Sequence, residues 1–235
     1  MTLNLQKLQK PILCLITPGA TDETATPASH EFQSILAQVS AAVAAGIQLI
    51  QLREKRLTAR VLFELTASVV AIARGTTTRV LVNDRADVAA SAGADGVHLT
   101  SRSLEPGTVR QNFGDDFLIG ASTHSLAEAM AARAGRADFA VFGPVFETSM
   151  KAKYGAPLGV AALAEVSDAL EPFPILALGG ISKENAAECL RAGAKGVAGI
   201  SLFSDPATLK ATVASIQVSE LTYPEQQEYE SDFQK

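Results

Sequence analysis

The residues that could do chemistry fall, again and again, where a short apolar run stops. Ile47-Gln48-Leu49-Ile50 leads into Gln51-Leu52-Arg53-Glu54-Lys55, and Val80-Leu81-Val82 into Asn83-Asp84-Arg85. Gly96-Val97 leads into His98, Phe117-Leu118-Ile119-Gly120 into Ser122-Thr123-His124, and Ile175-Leu176-Ala177-Leu178 into Gly179-Gly180. Two cations beside an amide, as in Gln51, Arg53 and Lys55, suit a diphosphate or a carboxylate. In an extended backbone the three side chains share one side. A structural Arg–Glu network inside the barrel, served by Arg53, is the alternative. Asp84 could hold a divalent metal beside substrate phosphates, or cap a helix starting at Arg85. His98 and His124 are candidate acids or bases, or satisfied structural histidines. Gly179-Gly180-Ile181, before a helix opening at Ser182, could cradle an anion with backbone amides. Gly199-Ile200-Ser201 supplies a second such turn with a hydroxyl. Both also read as plain turn glycines.

What must position these groups is a series of strands and helices. Strand-like runs lie at Pro11–Thr17, Ile47–Arg53, Arg79–Asn83, Gly96–Leu99, Phe117–Ser122, Asp138–Gly143, Pro174–Gly179 and Gly196–Ser201. They are rich in Val, Ile and Leu with little alternation, as strands buried on both faces are. Between them, Glu31–Ala45 and Ala59–Arg74 carry apolar residues at helical spacing. Arg85–Ala92, Thr108–Asn112, Ser125–Ala134, Val160–Ala169, Lys183–Ala192 and Pro206–Ile216 follow. Three helices end in near-copies of one turn, around Gly93, Gly135 and Gly193, where the glycine can take the left-handed helix-ending conformation. Eight strand–helix pairs, with polar groups at the strand ends, predict an α/β fold: a single (β/α)8 TIM barrel read from its catalytic face. An open doubly wound sheet is the competitor, but no dinucleotide G-x-G-x-x-G accompanies it. In barrels, phosphate commonly binds after strands seven and eight.

At 235 residues the chain fits one barrel, expected over 1–218, with an acidic polar tail over 219–235 expected to be disordered. A net charge of −5 argues against nucleic acid or anionic membrane as partner. No apolar run reaches transmembrane length, and Met1–Lys10 lacks the apolar centre of a secretory signal. A cytoplasmic location is the default, and homo-oligomerisation is left open. Cys14 and Cys189 read as buried packing residues. The first loop, Pro18–Ser29, and Ser149–Leu158 after strand six read as mobile surface, the latter as a lid.

The set of motifs resembles thiamine phosphate synthases and their TenI-type relatives. It comprises Gln51-Leu52-Arg53-Glu54-Lys55, Val82-Asn83-Asp84-Arg85, Asp95-Gly96-Val97-His98-Leu99, Ser122-Thr123-His124, Gly143-Pro144-Val145-Phe146-Glu147-Thr148 with Lys151, Pro157-Leu158-Gly159 and Gly179-Gly180-Ile181. These come in the family's order over roughly Pro11 to Phe203. The resemblance implies a (β/α)8 barrel whose synthases join a pyrimidine diphosphate to a thiazole phosphate, releasing diphosphate with magnesium. It implies that Gln51, Lys55, Asn83 and Lys151 hold the pyrimidine diphosphate and that Asp84 takes Mg2+. Thr148, Gly180, Ile200 and Ser201 then belong to the ligand and phosphate sites, with Arg53, Ser122 and Gly179 beside them. Lys55, Lys151, His98 and His124 are the catalytic candidates, and small phosphorylated substrates the expected partners.

Two departures stand out. Synthases follow Gly-Val-His-Leu with Gly-Gln-x-Asp, whose Asp is the second metal acid; here the segment is Thr100-Ser101-Arg102-Ser103 and Ser103 takes that place. A hydroxyl is a poor substitute for a magnesium carboxylate, although Arg102 adds a cation nearby. The lid reads Thr148-Ser149-Met150-Lys151 where synthases have Thr-x-Thr-Lys. TenI-type thiazole tautomerases also lack the metal acid, but carry a His where this chain has Pro144. The expected function is therefore a thiamine phosphate synthase. The alternatives are a TenI-like tautomerase using His98 or His124 as base, and a non-catalytic thiazole-phosphate-binding protein.

Overall fold

The computed structural model describes residues 11–148 and 156–221, the side chains of 219–221 excepted. Eight parallel strands close on themselves in sequence order: β1 Ile12–Ile16, β2 Leu49–Leu52, β3 Arg79–Asn83, β4 Gly96–Leu99, β5 Leu118–Thr123, β6 Phe139–Phe142, β7 Ile175–Leu178 and β8 Gly196–Gly199. β8 pairs back onto β1 through Leu13↔Val197 and Cys14↔Ala198. The helices are α1 His30–Ala44, α2 Ala59–Ala73, α3 Ala86–Ala92, α4 Pro106–Phe113, α5 Leu126–Ala134, α6 Gly159–Leu170, α7 Ala186–Arg191 and α8 Leu209–Leu221. The fold is the (β/α)8 barrel that the spacing predicts. α8 runs past the expected barrel boundary at 218, and the rest of the tail lies outside the described residues. Among the described residues, no helix is long and apolar enough to cross a membrane.

Strand geometry divides the core into two layers, because alternate side chains face opposite ways. Ile12, Cys14, Ile16, Leu49, Leu81, Leu118, Phe139, Val141, Leu176 and Ala198 fill the barrel interior. The intervening residues, such as Leu13, Ile50, Val80, Val97 and Ile119, pack outward against the helices. This double burial is why the strands read as continuous apolar runs. Burial pushes the thiols of Cys14 and Cys189 up to about 12, so both are packing groups and not nucleophiles.

Local chemistry sets the boundaries. Thr58 caps α2 by accepting from the Val61 amide, and Ser125 caps α5 by accepting from Glu128. Gly93 and Gly193 end their helical turns at φ 75° and 89°, as expected. The third copy differs. Gly135 stays right-handed at φ −74°, and the left-handed residue is Arg136 at φ 64°.

The first loop, largely exposed, is tied down at its start. The Glu54 carboxylate, 3% exposed, accepts from the Gly19 amide (3.0 Å), the Thr21 amide (3.2 Å) and the Thr21 hydroxyl (2.6 Å). Thr21 and Ala25 of this loop are buried. Residues 149–155, most of the expected lid, lie outside the described residues; Leu158 is tied to the Pro144 carbonyl at 2.8 Å.

Candidate functional site

The inward positions nearest the C-terminal ends of β2 to β5 are polar. Two residues up from Leu49 is Gln51; two up from Leu81 is Asn83. His98 lies on β4, and two residues before Ser122 on β5 is Gly120. Strand register places Asn83 beside His98 and His98 beside Gly120. A polar arc over β2 to β5 thus sits on an apolar floor at the mouth, with Ile16, Leu178 and Ile200 on the other side.

Its bonds form a directed chain. Gln51 Nε2 donates to Asn83 Oδ1 at 2.9 Å, and Asn83 Nδ2 to Asp84 Oδ2 at 2.6 Å. The other Asp84 oxygen accepts from the Thr100 hydroxyl at 3.1 Å and, closely, from the Ser103 hydroxyl. Asp84 is not a helix cap. The residue at the N-cap of α3 is Arg85, without a side-chain cap bond, and Asp84 itself stands at φ 62°. A non-glycine residue in that conformation is uncommon, and such residues gather at functional sites.

The two histidines part company. His98 is 2% exposed, and burial pulls its imidazole down to about 4, so it is neutral at physiological pH. Its Nε2 lies 2.9 Å from Ser122 Oγ, and its ring tilts toward Phe139 with centroids 6.0 Å apart. A group so enclosed is poorly placed to trade protons with water, which weighs against the acid–base role. His124 is exposed, and its Nδ1 bonds the Gly143 carbonyl. A carbonyl only accepts, so Nδ1 carries a proton and donates it, which leaves Nε2 outside this bond.

The cations are arranged differently from a simple strand alternation. β2 ends at Leu52, and the Arg53 amide bonds the Thr17 hydroxyl at 2.8 Å. The half-buried Arg53 guanidinium lies against the first loop: a Cβ on Gly19 would stand 3.3 Å from Nη1. Glu54 holds that loop, so the expected Arg–Glu network is a Glu–backbone tether. Lys55 is exposed beyond the strand, and Lys151 lies outside the described residues.

The glycine turns need their glycines for close approach. Gly179 and Gly180 stand at φ 100° and 65°. Cβ atoms there would collide with Pro144 and with the Glu147 carbonyl and Phe146, because residues 145–146 run along 178–179 through two backbone bonds of 2.8 and 2.9 Å. No helix opens at Ser182. The Ser182 amide is taken by Asn185 Oδ1 at 2.8 Å, and α7 starts only at Ala186. After β8, half-buried Ile200 packs on the inner core and exposed Ser201 opens a 3-10 turn, Ser201–Phe203. A short helical turn at this place is the common barrel phosphate position. Thr148, the last described residue before 149–155, is half-buried in the segment after β6. Glu54 and Thr100 are the residues that sequence reasoning missed.

Residues 21–203 match the family described as thiamine monophosphate synthase (TMP-TENI). The chain belongs to the thiamine monophosphate synthase family. A putative thiamine-phosphate synthase of Geobacter sulfurreducens is 45% identical over 175 residues, covering 74% of this chain and 82% of that protein. A thiamine-phosphate synthase of Anaeromyxobacter dehalogenans is 43% identical over 184 residues, 78% of this chain and 82% of that one. Among solved structures, thiamine phosphate pyrophosphorylase from Pyrococcus furiosus superposes with a TM-score of 0.71 at 27% identity, covering 87% of this chain and 96% of its own. The matched span of the thiamine monophosphate synthase family takes in Gln51, Asn83, Asp84, His98, Ser122 and both glycine turns.

Proposed function

We propose that the chain is a thiamine-biosynthesis transferase that couples hydroxymethylpyrimidine diphosphate to thiazole phosphate and releases diphosphate. The observation that carries the reading is the Gln51–Asn83–Asp84 chain at the mouth of a barrel of this family. Gln51, Asn83 and Ser122 bind and orient the ring half of the diphosphate substrate, and Arg53 and Lys55 offset its departing charge. The β7 and β8 turns, Gly179-Gly180 and Ile200-Ser201, receive the second phosphate, with Thr148 at their edge. The enclosed apolar floor excludes water from the reacting centre.

Magnesium takes oxygen ligands, often one or two carboxylates plus substrate phosphates. Asp84 with the Thr100 and Ser103 hydroxyls is an all-oxygen set that fits this minimum with a single carboxylate. Among the described residues no cluster of three or more His, Cys, Asp or Glu is placed to hold a metal. Bound there, magnesium would neutralise charge on the diphosphate. Asp84 would face it, and Thr100 and Ser103 would keep the carboxylate in place. The reaction is cytoplasmic in this reading.

Purified protein with both substrates and magnesium should form thiamine phosphate and release one diphosphate per turnover. No diphosphate release under those conditions would sink the reading. Ser103 favours a second reading, a thiazole tautomerase. His124, with Nε2 available, is the base that reading would require, and His124→Ala should then abolish isomerisation.

A further inference from the structure

Two buried side-chain atoms at the mouth have no partner: Gln51 Oε1 and His98 Nδ1. Both are consequences of a neighbour's chemistry. A carboxylate only accepts, so Asp84 turns the Asn83 NH2 toward itself. That presents Asn83 Oδ1 to Gln51, whose NH2 must answer it. Gln51 Oε1 is left as a buried acceptor.

Across the mouth, a Cβ on Gly120 would stand 2.7 Å from His98 Nδ1, so backbone occupies that side of the ring. A buried N–H without an acceptor is rarer, and costlier, than an unanswered lone pair. The proton therefore sits on Nε2 and is donated to Ser122 Oγ, 2.9 Å away. The Ser122 hydroxyl hydrogen is released to point at a ligand.

We propose that Asp84, acting through Asn83, and His98, acting on Ser122, are positioning residues that fix the hydrogen-bond polarity of the mouth. Gln51 is held as an acceptor on the β2 side and Ser122 as a donor on the β5 side. The matching ligand edge offers a donor to Gln51 and an acceptor to Ser122. An amino-substituted nitrogen heterocycle carries both. A phosphate, rich in acceptors, is repelled by the Gln51 oxygen and belongs elsewhere in the mouth. The choice of probe rests on the pyrimidine reading above; the polarity does not.

The test uses the unphosphorylated aminopyrimidine alcohol with chelator present, so that neither metal nor phosphate contributes. Asp84→Gly removes the carboxylate while accepting the φ of 62°. It should weaken calorimetric binding about tenfold, the worth of one well-made hydrogen bond. His98→Leu should do the same, and His98→Gln, which restores an N–H near Nε2, should recover most of the loss. Nitrogen-15 NMR of the wild type should show neutral His98 protonated on Nε2. Unchanged affinity in Asp84→Gly, or a proton on Nδ1, overturns the proposal. If the wild type does not bind the alcohol, the pyrimidine reading falls. The imidazole tautomer and the Asn83 and Gln51 amide signals, which should shift together in Asp84→Gly, then decide the positioning role.

Discussion

The two rims of this barrel spend their polar groups in opposite ways. At the N-terminal rim, Arg110, 5% exposed, donates to the carbonyls of Gly114, Asp115, Phe117 and Arg136 and to the Asp138 carboxylate. Asp138 also accepts the Ile119 amide at 2.6 Å, and Asp95 accepts the Val80 amide at 2.8 Å, each closing the start of a neighbouring strand. Burial raises both carboxyls against the pull of these amides and of Arg110 and Arg79. Saturation is not perfect, since Arg79 Nε stays 3.7 Å from Asp95. At the C-terminal rim, by contrast, Gln51 and His98 each keep a buried atom unanswered. One rim uses polarity to close the barrel, and the other holds it in reserve for a ligand. Conflict with local satisfaction is expected at functional sites.

The comparison can be broken first at Arg110. Arg110→Ala would remove the ion-pair partner of the half-buried Asp138 carboxylate and the donor that several carbonyls share, and should cost about 3 kcal/mol in urea unfolding. Affinity at the mouth should survive wherever the protein is folded. A loss below about 1 kcal/mol would mean that this rim is not held by its polar network.

Acid sharpens the contrast next. The folded imidazole of His98 titrates near 4 against an ordinary 6.5, so the unfolded chain takes the proton first. Its contribution is fully present above pH 6.5 and lost as pH falls toward 4, roughly 3 kcal/mol in all. The raised carboxyls of Asp95 and Asp138 act with the opposite sign, favouring the fold at low pH and losing that advantage as pH rises through their folded values. His98→Gln should flatten the stability profile between pH 6.5 and 4; an unchanged slope would place the acid sensitivity elsewhere.

Glu54→Gln leaves one oxygen for three donors and should cost about 1–2 kcal/mol. Amide exchange at Gly19 and Thr21 should accelerate, and if it does not, the tether is not what orders the first loop. The smallest effect on stability belongs to Ser103→Asp, at most about 1 kcal/mol. It should nonetheless tighten magnesium-dependent pyrophosphate binding about tenfold by supplying a second carboxylate. No change would mean that the cation does not reach Asp84.

Much of the mouth was legible because strand geometry is strict. Gln51, Asn83 and Ser122 are polar where an inward position meets the end of an apolar run, and no partner had to be known to see them. What stayed hidden depends on contacts across the fold. Glu54 answers residues 33 and 35 positions earlier, and Ser103 answers Asp84 19 positions earlier. Nothing local to either distinguishes a tether from a solvated side chain. The choice between cap and mouth for Asp84 was settled by its left-handed backbone, which spacing does not encode. The helix expected at Ser182 lost to a side-chain turn from Asn185, a familiar competition for short polar residues. The paired glycines were read as an anion cradle, yet their immediate cause is the strand-six loop lying against them.

The path of the chain itself has a practical consequence. β1 begins at the rim far from Gln51, and α8 runs back from the mouth toward that same rim to pack beside α1 and α7. Entry and exit of the described barrel are therefore on one side and the polar arc of the mouth on the other. Immobilised on a surface through either end of the described barrel, the protein would hold its mouth away from that surface.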